Sequence, residues 1–438
     1  MFFAALATDY DGTLAHEGKV EATTLESLTQ LKRTGRKLVL VTGRELPDLR
    51  RVFPEHGLFD LIVAENGALL VDPASGEEVV LAEPPPPRFV ASLRERGVSP
   101  LSVGRAIVAT WEPHETAVLE TIREMGLELH IIFNKGAVMV LPSGVNKASG
   151  LEHALRRLRL SAHNVVGIGD AENDQAFLSA CGCAVAVANA LGSVKAKSDL
   201  VVADHGAGVS ELARMLAAGD LSSVRARVPR QRPVLGERAD ASLLHLDPFE
   251  SVLLAGAAAQ PGVVTPLLEQ MGEHAFQFCL VDPAGAYTGL GEAVVVGDDI
   301  QAPRLSEIME LLALPNVSAV VDLRALDPDE HPRCLTELLS AIAGLRSETG
   351  RPHWLVVAEA HRCLPARLGS GPLVLPDGLP ALVAISAEPD GLAPLLHRRI
   401  SKVIAAGRRP GELEVRRRDG TVEVVTAARG AKFVGSRK

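Results

Sequence analysis

The chain has 438 residues, 47% hydrophobic and 23% charged, a globular composition that excludes collagenous or disordered classes and is too long for one ordinary core. A formal net charge of -9 argues against a protein that simply coats nucleic acid. Five scattered cysteines argue for reduced thiols rather than a disulfide framework, and Cys181-Gly182-Cys183, with no partner pair elsewhere, is read as packing. Met1 to Leu6 is apolar but lacks the positive start of a targeting segment, and no apolar stretch is long enough to span a bilayer. The expectation is a cytoplasmic protein with no membrane partner.

In chain order, the first apolar run ends in Thr8-Asp9-Tyr10-Asp11-Gly12-Thr13. On an extended segment alternate side chains share a face, so Asp9 and Asp11 are brought toward one small volume. Close carboxylates need a cation or a shared proton between them and suit chemistry in which one attacks while the other handles a proton. A solvated Asp-rich turn is the alternative for this stretch taken alone. Thr23 to Leu31 has helical spacing, with Gly35 placed to stop it. The strand-like Lys37 to Val41 then ends in Thr42-Gly43-Arg44, a hydroxyl and a glycine amide suited to a phosphate oxygen.

Glu83 followed by Pro84 to Pro87 interrupts the strand and helix pattern. Residues 83–141 read as an inserted unit with a helix near 115–125 and strands at 127–133 and 137–141. Within it Trp111 and His114 are candidates for substrate contact, against simple packing of Trp111. The pattern resumes near Asn146-Lys147, where a lysine in the first turn of a helix could act on an anion together with the helix N-terminus. The strand-like Val165 to Gly169 then ends in Asp170-Ala171-Glu172-Asn173-Asp174. Four such segments at strand ends, in this order, supply the parts of a phosphoryl-transfer site, because active sites of open α/β sheets gather at the carboxyl ends of strands.

These segments, with Glu65-Asn66-Gly67-Ala68 and Ala186-Val187-Ala188-Asn189-Ala190, resemble the haloacid dehalogenase superfamily of phosphatases, in its Cof-type or IIB sugar-phosphatase branch, over roughly residues 1–216. The resemblance implies a Rossmann-like α/β core (1–82 and 142–216) with a parallel sheet and a small α/β cap (83–141). It implies Asp9 as the nucleophile that forms an aspartyl-phosphate and Asp11 as general acid and base. Mg²⁺ would be held by the Asp9 carboxylate, the Asp11 carbonyl and Asp170, with Asn173 and Asp174 in support. Thr42, the Gly43 amide and Lys147 would hold the nonbridging phosphate oxygens. An aspartate at position 11 favours phosphate esters over carbon–halogen bonds, because a leaving alkoxide needs a proton. The small cap points to a small phosphorylated substrate, such as a sugar phosphate.

Residues 217–237, with Arg225, Arg227, Arg230 and Arg232, read as a linker, with contact to nucleic acid or an acidic partner as the alternative to a solvated run. Beyond it, strand-like runs at 251–256, 276–282, 317–323, 353–358 and 381–386, with a helix at 333–345, imply a second parallel α/β sheet in residues 238–438. Leu280-Val281-Asp282, Val320-Val321-Asp322-Leu323 and Ala358-Glu359-Ala360-His361 resemble the P-loop ATPases of the HerA type. A phosphate loop needs a lysine and a hydroxyl, but Gly256 is followed by Ala257-Ala258-Ala259-Gln260-Pro261. An alanine also stands where the family has its metal-orienting aspartate. The second half is therefore read as a degenerate P-loop-like domain with a regulatory, assembly or ligand-sensing role, self-association included, or else as an unrelated α/β domain.

The leading expectation is an Mg²⁺-dependent phosphomonoester hydrolase with a non-hydrolytic C-terminal domain. The alternatives are a nucleotide- or nucleic-acid-associated binding protein in which the first half is subordinate, and a phosphomutase.

Overall fold

Short runs of small and branched apolar residues, such as Ala5-Leu6-Ala7 and Leu38-Val39-Leu40-Val41, are fully buried and become the central strands of the computed structural model. It describes residues 1–134, 136–222, 232–366, 375, 376, 379 and 381–428. The chain divides into one unit of Phe3–Val228 and another of Pro229–Lys438 with Met1–Phe2.

The first unit runs β1 (Ala5–Asp9), α1 (Ala22–Arg33), β2 (Lys37–Val41), α2 (Leu46–Val52), β3 (Leu61–Ala64), β4 (Leu69–Asp72) and β5 (Glu77–Val80). The inserted segment follows as α3 (Pro87–Glu95), β6 (Ser102–Val103), β7 (Val108–Trp111), α4 (Glu115–Glu124), β8 (Leu129–Asn134) and β9 (Ala137–Pro142). The core resumes with α5 (Lys147–Leu158), β10 (Val165–Gly169), α6 (Gln175–Ala180), β11 (Cys183–Val187), α7 (Gly192–Lys197), β12 (Leu200–Val202) and α8 (His205–Gly219). Its sheet has the order β12-β11-β10-β1-β2-β3-β4-β5, parallel from β12 to β3 and antiparallel at β4 and β5. β1 lies between β10 and β2, so the carboxyl ends that carry Asp9, Asp170 and Thr42 are neighbours.

The insertion builds its own antiparallel sheet, β6-β7-β9-β8. Phe89, Leu93, Val118, Val138 and Val140 form its core. Both expected strands and the expected helix of this segment are present. Their ends differ by a residue or two, because local pattern does not fix where pairing stops.

The second unit contains β13 (Val234–Glu237), β14 (Leu243–His245), β15 (Ser251–Ala255), α9 (Pro261–Glu273), β16 (Phe278–Asp282), β17 (Ala293–Val296) and α10 (Leu305–Ala313). β18 (Ser318–Asp322), α11 (His331–Thr349), β19 (Trp354–Val357), α12 (Ala360–Cys363) and β20 (Ala381–Ser386) follow. The described part closes with β21 (Ile400–Ala406), β22 (Glu412–Arg417) and β23 (Val422–Ala427). The parallel portion has the order β21-β15-β20-β19-β16-β18-β17, and antiparallel β22, β23, β13 and β14 extend it beyond β21. The second parallel sheet expected from the sequence is thus present. Of residues 217–237, α8 includes 217–219 and β13 begins at Val234. Arg225, Arg227 and Arg230 lie outside the described residues, and Arg232 pairs with Asp247 at 2.8 Å.

One close approach sets the distance between the core sheet and α5. The turn after β3 holds Glu65, Asn66 and Gly67 at φ 51°, 54° and 110°, and a Cβ on Gly67 would lie 1.9 Å from the Asn146 carbonyl oxygen. Only glycine fits there. Gly67→Ala is expected to destabilise the first unit by more than about 2 kcal/mol, read as a lowered unfolding temperature. A substitution without thermal effect would contradict this packing.

Candidate active site

Asp9 ends β1, and Asp170 directly follows β10, the adjacent strand. Asp174 lies four residues further on, and its Oδ2 accepts the backbone N–H groups of Asp170 and Ala171, each at 2.9 Å. The turn thereby folds back on itself. All three carboxylates are buried, and one oxygen from each lies within 4.8 Å of the others.

Lys147 completes the cluster from the first position of α5. Asn146 caps that helix by accepting from Ala148 and Ser149 N–H at 2.9 and 3.1 Å, and the Ser149 hydroxyl accepts from Asn146 N–H at 3.0 Å. The Lys147 Nζ donates to Asp9 Oδ1 at 2.5 Å and to Asp174 Oδ1 at 2.6 Å. Asp174 therefore spends both oxygens on protein donors. Asp170 Oδ1 accepts from the Thr13 hydroxyl at 3.1 Å.

The charges do not balance. Burial, with the Asp174 and Asp170 charges, pushes the Asp9 carboxyl well above the usual carboxylate range, and Lys147 only partly offsets this. The same carboxylates hold the Lys147 ammonium in its charged form despite burial. A divalent cation would relieve this excess of negative charge, and the hard carboxylate oxygens suit Mg²⁺.

Asp11 lines the same cavity as Asp9, and its side chain meets Arg44. Its oxygens accept from Arg44 Nε and Nη2, each at 2.7 Å, and Arg44 also pairs with Asp48. Partial burial would raise the Asp48 carboxyl, but the Arg51 and Arg44 hydrogen bonds outweigh it and hold it below the usual range. The Thr42 hydroxyl is buried and accepts from Arg44 N–H at 3.1 Å. Asn173 Nδ2 donates to Asn66 Oδ1 at 3.2 Å.

A cavity of about 510 Å³ opens onto this cluster between the core and the insertion. Asp9, Asp11, Gly43, Arg44, Lys147 and Asn173 line its core side, and Ser102, Ala109, Trp111, Asn134 and Met139 line the other. Thr42, Asp170 and Asp174 are not among its lining residues. Trp111 is 53% exposed, so the packing alternative fails for it. His114 does not line the cavity; its ring bonds the Ser99 carbonyl at 2.9 Å. Asn134 Oδ1 and Asn173 Oδ1 are buried without a hydrogen-bond partner among the described residues. Glu45 and Asp48 also line this space; they lie outside the recognised segments, and only the fold brings them here.

The model of the haloacid dehalogenase-like hydrolase family matches residues 6–95 and 115–212. The chain is 33% identical to a phosphoglycolate phosphatase of Halorubrum lacusprofundi over 211 residues, 45% of this chain and 90% of that relative. The chain belongs to the haloacid dehalogenase-like hydrolase family. It is also 30% identical to a phosphoglycolate phosphatase of Methanothermobacter thermautotrophicus, over 48% of this chain and 97% of that relative. A haloacid dehalogenase-like hydrolase from Bacteroides thetaiotaomicron aligns in structure with 20% identity, a TM-score of 0.43, and 49% and 99% coverage of the two chains. This haloacid dehalogenase-superfamily enzyme is a hydrolase of phosphatase type. No helix among its described residues is long and apolar enough to cross a membrane.

The second unit also gathers acids at strand ends. Asp282 and Asp322 are register partners, and Asp282 accepts from Ala284 and Tyr287 N–H at 3.2 and 2.8 Å. Asp322 is held by Arg324 at 2.6 Å. His361 Nδ1 and Ser386 Oγ are 3.1 Å apart, with Glu359 Oε2 3.5 Å from His361 Nε2.

A group whose folded pKa is raised loses stability as pH climbs from its ordinary value toward the raised one, since the unfolded chain gives up its proton first. The ordinary aspartate value from which Asp9 is raised is 3.8. In chelator, Asp9→Asn should therefore gain unfolding temperature relative to wild type as pH rises from about 4 toward neutrality. A difference that is flat or shrinks with pH would contradict the charge imbalance.

Proposed function

We propose that this chain is an Mg²⁺-dependent phosphomonoesterase that acts on a small ester through an aspartyl-phosphate on Asp9. The observation that carries the reading is the buried Asp9, Asp170 and Asp174 cluster with a lysine in it, of which Asp9 and Lys147 line a cavity large enough for a small ester. Asp9, the Asp11 carbonyl and Asp170 would hold the ion, with Asn173 and Asp174 in support. When bound, the ion would supply the positive charge that lets a carboxylate approach a phosphate dianion.

This chain's residues do the rest. An Asp9 oxygen attacks phosphorus while the ester bond breaks, and Asp11 gives its proton to the leaving oxygen. Asp11 then takes a proton from the water that attacks the acyl phosphate, freeing phosphate and restoring Asp9. Thr42, the Gly43 amide and Lys147 steady the nonbridging oxygens. Arg44, bonded to both Asp11 oxygens in the structure, holds the ionised form that takes the water's proton, and it would yield one of these bonds when Asp11 carries the proton.

The leaving group would lie against the exposed Trp111 face, which suits the apolar face of a sugar. Among the described lining residues the cations are Arg44 and Lys147, both already paired with carboxylates, and Glu45 and Asp48 add negative charge. This supports a neutral hydroxylated leaving group over the carboxylate-bearing substrate in the names of the matched relatives. The protein is proposed to work in the cytoplasm.

For residues 238–438 we propose a degenerate P-loop-like fold with a non-hydrolytic regulatory or assembly role. The parallel strand order and the turn of Gly256–Ala259 leading into α9 support it. The lysine and hydroxyl that a nucleotide triphosphate needs are missing from that turn.

A phosphate-release screen over sugar phosphates and phosphoglycolate, with Mg²⁺ and with chelator, tests the proposal. Turnover should require the metal, favour a sugar phosphate, and fall at least ~10³-fold in Asp9→Asn. Metal-independent turnover, or Asp9→Asn at wild-type rate, would overturn it. The full chain should show no Mg-dependent ATP hydrolysis that survives Asp9→Asn; ATPase activity intact in that variant would refute the degenerate reading of the second unit.

A further inference from the structure

Glu65 is a buried carboxylate outside the phosphoryl-transfer cluster, 1% exposed and held at a left-handed φ of 51°. Its partners are backbone donors of the insertion. Oε1 accepts from Arg105 N–H at 2.8 Å, and Oε2 accepts from Ala106 and Ile107 N–H at 2.8 and 3.1 Å. These amides form the turn between β6 and β7, where Gly104 N–H donates to the Ile107 carbonyl at 2.9 Å. A nest of backbone N–H groups around a carboxylate is an ion–dipole contact in a water-poor place, far stronger than an ordinary surface hydrogen bond.

The backbone of the same residue faces the other way. Glu65 N–H donates to the Arg44 carbonyl at 3.0 Å, and Asn66 N–H donates to the Thr42 carbonyl at 2.9 Å. Glu65 and Asn66 thus grip the loop of Thr42, Gly43 and Arg44 with their main chain, and Glu65 grips the β6–β7 hairpin with its side chain. That hairpin supplies Ser102, Ile107, Ala109, Thr110 and Trp111 to the cavity wall. Gly104 sits against the latch, since a Cβ there would lie 2.7 Å from the Glu65 carboxyl.

We propose that Glu65 is a positioning residue that fixes the leaving-group wall, Trp111 above all, over the phosphoryl-transfer cluster. The cap is joined to the core by two chain crossings, near residues 83–86 and 142–146. Its far hairpin is also held by Ala106 and Ile107, which share a buried apolar cluster with Ala68, by the Arg105–Glu78 pair at 3.2 Å and by the Ser102–Glu45 hydrogen bond. Among these contacts the Glu65 latch grips the hairpin backbone itself, and it sets the distance from Trp111 to the bound ester. This inference rests on the reading of the cavity as the substrate site.

The test uses the full-length chain with Glu65→Gln, Glu65→Ala and Gly104→Ala, the last altering the latch from the hairpin side by crowding the Glu65 carboxyl. Hydrogen exchange decides the attachment without reference to activity. The amides of 105–107 and the β7 strand should exchange at least about tenfold faster in all three variants, and unchanged exchange overturns the latch. Kinetics decide its role, with p-nitrophenyl phosphate as an ester whose leaving group reaches Trp111 and methyl phosphate as one too short to do so. The ratio of kcat/KM on the long to the short ester should fall about tenfold, mostly through KM. Trp111→Ala added to Glu65→Gln should lower that ratio by less than about twofold more. Equal losses on both esters, or fully multiplicative losses in the double variant, overturn the positioning role. A wild-type protein inactive on both esters would instead refute the proposed function, with the latch still decided by exchange.

Discussion

Three buried carboxylates held against one ammonium are the constraint on which the first unit is organised. Burial and the neighbouring Asp174 and Asp170 charges push the Asp9 carboxyl well above the usual range, and Lys147 only partly offsets them. Everything that brings them together works against their repulsion. β1 sits between β10 and β2, the turn after β10 is tied by Asp174 to two backbone N–H groups, and α5 brings Lys147 in with a fully made capping box. Gly67 lets the start of α5 approach closely enough for that lysine to reach. The arrangement concentrates unfavourable electrostatics where the proposed cation and phosphate would be received, as active sites do.

Much of this was legible in the chain because the signal is local. Thr8-Asp9-Tyr10-Asp11-Gly12, Thr42-Gly43, Asn146-Lys147 and the acids after Gly169 each close an apolar run, and strand ends in a parallel sheet converge. Pairing partners were not legible. Asp9 and Asp11 share the face of one extended run, but the chain turns after β1, so Asp11 meets Arg44 while Asp9 meets residues 138 and 165 positions further along. Trp111 shows the same limit: a tryptophan on a short strand packs inward or looks outward according to what the opposite face needs, and β7 fills that face with Val108 and Thr110. Glu65 carried only a resemblance, since the amides it holds lie some forty residues away.

The two units make a contrast in kind. In the first, Asp9, Asp170, Asp174 and Lys147 are buried together, with Asp11 partly exposed beside Arg44. In the second, a parallel sheet again brings acids to strand ends, yet Asp282 and Asp322 are spent on local amides and Arg324, and the turn after β15 is built of alanines.

The central claim is that the cluster is a cation site by virtue of its unbalanced charge. Isothermal titration of Mg²⁺ into the chelated full chain, with Asp170→Asn alongside, tests it most directly. The account predicts saturable binding of one ion by the wild type and its loss in the variant. No binding by the wild type, or equal binding by both, would contradict it.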